Sequence, residues 1–139
     1  METQTSIESS IFLLRSNNSL NRMAHKAQEI GLKGVGLIAL LEGTEKDSMI
    51  SKMKVCGALK NEDANFLAIA YTKAGEMVDT LQNSGTTNRI PLLGEFNFLG
   101  GLIEKIKNGH LIVVFSGATG EEDTIIAKAG LDAFFEIKE

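Results

Sequence analysis

The chain is poor in residues that cross-link or interrupt a fold. Cys56 is the one cysteine among 139 residues. That excludes an internal disulfide and any zinc site built from several cysteines. Pro91 is the one proline, so punctuation falls to glycine and short polar clusters. No run of eighteen or more apolar residues occurs, and no helical membrane span is expected. Met1-Glu2-Thr3-Gln4 carries an acid where a secretory leader has basic residues, and no apolar core follows, so a cytoplasmic protein is expected. Positive charge is also in deficit. Lysine and arginine number 14 against 18 acids, a net charge of −4. A field of that sign favours neither nucleic acid nor an anionic membrane as partner.

What is present is ordinary for a globular chain. Hydrophobic residues make up 43% and charged residues 23%, which places the chain near the globular average. Length and composition predict one domain over residues 1–139. No internal repeat or low-complexity stretch interrupts it.

Local patterns give an element order. Ile7, Ile11 and Leu14 sit at helical spacing, although Ile11 to Leu14 also reads as a short strand. Asn17-Asn18-Ser19 reads as a stop followed by a helix start. From there Leu20, Met23, Ala24, Ala27 and Ile30 form one helical stripe, which Gly31 ends in the left-handed conformation. Val35 to Leu41 is a buried strand. A polar turn, Gly43 to Asp47, leads to a half-buried strand in which Met49, Ser51, Met53 and Val55 alternate with Ile50, Lys52, Lys54 and Cys56, the lysines on one phase. The connection is too short for a parallel crossover, so the pair is an antiparallel hairpin. Asn61 or Asp63 caps a second helix along Leu67, Ala70, Tyr71, Ala74, Met77, Val78 and Leu81, ending near Asn83-Ser84-Gly85. Thr86 to Leu99 is either short strand pieces or a loop.

The last third is more explicit. Leu102 to Lys107 and His110 to Phe115 flank Asn108-Gly109, the pair that favours a type I′ hairpin turn. Thr119 and Glu122 have capping-box spacing at the start of a final helix. Its stripe is Ile125, Ile126, Ala129, Gly130, Ala133 and Phe134, with Gly130 permitting close approach to a sheet. The order helix, hairpin, helix, hairpin, helix predicts an α+β domain. Its sheet is mostly antiparallel, with one face covered by helices.

Chemistry-bearing residues are few. His25 lies beside the first helical stripe and His110 follows the hairpin turn. Each reads either as an exposed surface histidine or as an axial ligand. Met23, Met49, Met53 and Met77 read as core filler rather than thioether ligands. Cys56 reads as a bystander thiol, since a reactive thiolate needs an electropositive setting. Ser116 to Gly120 looks like a phosphate cradle but lacks the Walker lysine. Three acids in the following turn, Glu121 to Asp123, oppose a phosphate there. Gly100-Gly101 reads either as a tight turn or as backbone that lies close to a flat ligand. No metal site is expected from these spacings, and no constellation of acids and bases demands catalysis.

The stretch SGATGEEDTIIAKAGLDAF, Ser116 to Phe134, resembles the C-terminal signature of the GlcG/HbpS-like family, also called the haem-degrading domain family. The matching residues are Ser116-Gly117, Glu121-Glu122-Asp123, Ile126-Ala127 and Ala129-Gly130. Gly100-Gly101 followed by Asn108-Gly109 is similar to the family's double glycine and Asp-Gly hairpin. Ile69-Ala70 with Lys73-Ala74 is similar to its central helix. Met53 to Ala58 is similar to the segment before that helix. The resemblance spans about Leu20 to Glu136. It departs where the family has Val-Pro-Ile and this chain has Leu102-Ile103-Glu104. The glycine-bearing strand of the family is also replaced by Ile112 to Phe115.

The resemblance implies a profilin-like fold related to the C-terminal domain of PduO-type cobalamin adenosyltransferases. It implies a small-ligand binding protein, with haem or another tetrapyrrole as ligand. His25 and His110 are the axial candidates, and Lys73, Gly100, Gly101, Ser116 and Gly117 are the pocket candidates. Homo-oligomers are common in the family. Two alternatives stand beside this reading. One is an oligomeric accessory protein of a diol, glycolate or cobalamin-related pathway. The other is a haem-degrading enzyme.

Overall fold

The computed structural model describes residues 6–46 and 48–136. Met1 to Gln4, on which the leader argument rests, and Asp47 of the first expected turn lie outside them. Among the described residues the elements run α1 (Ser9–Glu29), β1 (Gly34–Glu42), β2 (Ser48–Cys56), α2 (Phe66–Thr80), β3 (Gly101–Ile106), β4 (Gly109–Ser116) and α3 (Gly120–Phe135). The four strands form one antiparallel sheet in the order β2-β1-β4-β3. The two apolar strands β1 and β4 pair in its centre, with Ile38 opposite Val113. The fold is therefore α+β with a fully antiparallel sheet, and its profilin-like character is consistent with this arrangement.

Helices cover both faces of the sheet, not one. Ile38, Leu40, Leu111, Val113 and Phe115 pack with α1 and α3, while Leu37, Ala39, Ile112 and Val114 pack with α2. Successive residues of a strand point to opposite faces. A strand that is apolar on both phases is buried on both, which is why β1 and β4 carry unbroken apolar runs.

The first helix starts ten residues earlier than the sequence pattern suggests. Asn17-Asn18-Ser19 does not stop it, because distant partners take up those side chains. Asn18 donates to the Ala133 carbonyl at 2.8 Å, and Lys52 donates to Asn17 at 2.7 Å. The buried stripe is Phe12, Ser16, Leu20, Met23 and Ala27, whereas Ile11 and Leu14 face outward. Gly31, at φ 77°, ends the helix as expected. The amides of Gly31 and Leu32 bond the carbonyls of Gln28 and Ala27 there.

Five other expectations shift. The cap of α2 is Asn65, whose side chain accepts from the Ala68 amide at 3.0 Å. Asn61 instead closes a local turn by accepting from Asp63 and Ala64. α2 also stops at Leu81, in the left-handed conformation, before Asn83. The β3–β4 turn is Lys107-Asn108, since Ile106 pairs with Gly109, and neither turn residue has a positive φ. Gly109 is needed because a Cβ there would stand 2.0 Å from the Leu41 carbonyl oxygen. Gly130 allows close approach of α1 rather than of the sheet, its position facing Met23. The expected capping box of Thr119 and Glu122 is present, while Ile125 of the expected stripe is exposed.

Residues 82–100 form no regular element. They are held as a built loop. Arg89 pairs with Asp79 of α2 at 3.0 Å and with Glu95 at 2.8 Å. Thr72 donates to the Gly94 carbonyl. Ser84 and Asn83 bond the amides of Gly101 and Ile103 and so cover the outer edge of β3.

Candidate functional site

Lys73 lies on the buried stripe of α2, three residues after Ala70 and four before Met77. It is 2% exposed and donates to Asp123 of α3 and to the Phe115 carbonyl, both at 2.8 Å. Lys73 is thus a buried lysine, and Asp123 is its ion-pair partner. The pair joins α2, β4 and α3 across the end of the sheet. Burial pushes Lys73 below the ordinary lysine value and Asp123 above the ordinary carboxylate value. Each partner pulls the other back less strongly.

Asp123 also organises the turn before α3. Its second oxygen accepts from the Ala118 amide at 2.9 Å, and the Gly117 amide bonds it as well. Glu122 takes the Thr119 amide. These side chains occupy the amides that a phosphate cradle would need, so Ser116 to Gly120 is a capped turn. Gly117 serves backbone packing, since a Cβ there would stand 2.0 Å from the Lys33 carbonyl oxygen.

A cleft of about 680 Å³ opens between the N-termini of α2 and α3. Phe66 and Ile69 form one wall, and Phe98 and Leu99 of the long loop form the other. Lys73, Asp123 and Ser116 lie at its base. Ser116 is 1% exposed. The volume falls in the range of small-molecule sites, and an apolar lining with a few convergent polar groups is their usual composition. Sequence reasoning missed the four apolar wall residues. The signal for Phe98 and Leu99 was an apolar stretch with no strand or helix to absorb it.

The structure brings Lys73, Ser116 and Gly117 to this cleft and leaves the other candidates outside its lining. Gly100 backs the ion pair, where a Cβ would come within 2.3 Å of Lys73 Nζ. Gly101 faces Met77 and Ser84. The close backbone approach at the double glycine is therefore to the protein itself. His25 is exposed on α1. His110 is the second residue of β4 and Ser116 the last, about 20 Å apart at the rise of a strand. Among the described residues no histidine, cysteine, methionine or tyrosine lines the cleft. Met23 and Met77 are core residues. Burial raises the Cys56 thiol above its ordinary value, in keeping with a bystander.

No family model and no curated protein matches the chain. Among solved structures it is similar to the crystal structure of Klebsiella pneumoniae protein ORFY, assigned to the family model DUF336, the GlcG-like family. The two share 18% identity at a TM-score of 0.66, over 99% of this chain and 96% of that one. At that identity the likeness establishes the fold. Among the described residues no helix is long and apolar enough to cross a membrane.

Proposed function

We propose that the protein is a small-ligand binding module whose ligand occupies the cleft between α2 and α3. The carrying observation is that the cleft joins four apolar side chains, from α2 and the loop, to a buried polar base at Lys73, Asp123 and Ser116. That arrangement suits a flat organic molecule with apolar faces and one hydrogen-bonding edge. Haem held through its iron by His25 or His110 does not fit here, because neither imidazole reaches the cleft. Among the described residues the lining offers no imidazole, thiolate, thioether or phenolate. A tetrapyrrole in this site is bound by its ring and edge, and no haem-degrading step is assigned to these residues.

Titration with haemin and with metal-free protoporphyrin IX, followed by absorbance, tests the reading. Both are expected to bind alike and to be indifferent to His25→Ala and His110→Ala. Both are expected to weaken about tenfold or more in Ile69→Trp, which fills the cleft. Loss of binding in His110→Ala with none in Ile69→Trp would move the site elsewhere. A featureless titration of the wild-type protein would sink the tetrapyrrole as ligand.

The loop favours a second reading, that of an oligomeric accessory protein. Leu93 is fully exposed, Ile90 is 85% exposed and Phe96 is 62% exposed, and Phe96 stacks on Phe98. Exposed apolar side chains gathered on one loop suit an interaction site, and a second copy of the same chain is the commonest occupant. Leu93→Glu combined with Phe96→Glu is expected to reduce the sedimenting mass to that of one chain. A wild-type protein that sediments as a monomer at every concentration would remove this reading.

A further inference from the structure

At the opposite end of the sheet lies a second cavity, of about 660 Å³. The β1–β2 turn, the end of α2 and the β3–β4 turn meet there. Leu41 and Leu81 supply apolar surface, and Lys46, Lys105, Lys107 and His110 supply nitrogen. Glu42 is the one carboxylate in the lining among the described residues, and the Ser48 hydroxyl faces it at 3.4 Å. Among the described lining residues three ammonium groups stand against one carboxylate, in a chain whose net charge is −4.

The charges are placed, not scattered. Lys46 donates to the Asp79 carbonyl at 3.0 Å. That bond offsets the negative end of the α2 dipole, which would otherwise repel an anion. Lys105 stands directly opposite His110 in the sheet register. An independent observation concerns His110 itself. Its Nδ1 is shielded from solvent and has no hydrogen-bond partner. A bound group that completes its bonding accounts for a buried polar atom of that kind. Burial, with Lys105 and Lys46 beside it, holds His110 below the ordinary imidazole value, so the ring is mainly neutral at pH 7.

We propose that this cavity binds a compact multivalent anion, of the phosphoester or di- or tricarboxylate kind, held by Lys46, Lys105 and Lys107 with His110 against it. The site is separate from the cleft and does not depend on the reading given for it. An anion among the lysines would relieve their repulsion of a proton on His110, so the imidazole reports occupancy.

The test follows the two histidine side chains of the full-length protein by NMR, titrating pyrophosphate and citrate at constant ionic strength. Saturable movement of the His110 signals is expected below about 10 mM, with His25, exposed on α1, as the internal control. Lys105→Gln combined with Lys107→Gln is expected to weaken binding about tenfold or more. Both lysines are exposed, so the fold tolerates the change. Binding of pyrophosphate alone assigns the phosphoester class, and binding of citrate alone assigns the carboxylate class. The proposal is overturned if His110 does not move, if both histidines drift together, or if the double variant binds as tightly as the wild type.

Discussion

Replacing Lys73 with methionine lowers stability by about 3–5 kcal/mol, the cost of leaving a buried charge without its partner. Both side chains are almost wholly enclosed, at 2% and 4% exposure. Methionine fills much of the volume but strands the Asp123 carboxylate and frees the Phe115 carbonyl from its donor. The second substitution is the informative one. Asp123→Asn in the Lys73→Met background removes the stranded charge, and its side-chain oxygen still accepts from the Ala118 amide. The double variant is therefore expected to be more stable than Lys73→Met alone. Asp123→Leu in the same background leaves the Ala118 and Gly117 amides unpaired, at about 1–3 kcal/mol for each group, and recovers less. Urea unfolding of the three proteins settles the order. A Lys73→Met protein within about 1 kcal/mol of wild type would mean that water reaches the pair freely.

The parts of this fold that are legible in the sequence are those set by local chemistry. Gly31 stops α1, Thr119 and Glu122 box the start of α3, and the apolar run of β1 marks a central strand. The errors arise where tertiary partners outweigh local preference. Asn17 and Asn18 look like breakers until Lys52 and Ala133 bind them. Asn61 looks like a helix cap but closes its own turn, and the cap falls four residues later on Asn65. Coverage of both sheet faces was implicit in Val35 to Leu41, because a half-exposed strand would alternate and this one does not.

The same contrast applies to the candidate cleft. Lys73 and Asp123 are readable as buried, since each falls on an apolar helical stripe: Ala70 to Met77 for one, Ile126 and Ala127 for the other. Their pairing across 50 residues is not readable from local spacing. The separation of the histidines from the cleft depends on strand order and register, which no local signal near His25 or His110 carries.

Gly100→Ala is expected to destabilise the protein by about 3 kcal/mol or more, combining backbone strain with disruption of the ion pair. Gly100 has φ +121°, a conformation that suits glycine. A Cβ there would stand 2.3 Å from Lys73 Nζ and 2.7 Å from Asp123 Cβ. The backbone has little room to withdraw, because the Phe115 amide donates to the Gly100 carbonyl at 3.1 Å. Gly75→Ala supplies a control of opposite sign. It lies within α2, and nothing stands within 4 Å of its added Cβ. The change should stabilise the fold by about 0.5–1 kcal/mol, chiefly by restricting the unfolded chain. Thermal unfolding of the two variants then separates a glycine required by contact from one that is merely tolerated. Combining Gly100→Ala with Lys73→Met should cost less than the two single changes together, since the second removes the ammonium that the first would strike. Strict additivity would show that the strain at Gly100 lies in the backbone alone and that the ion pair does not dictate the glycine.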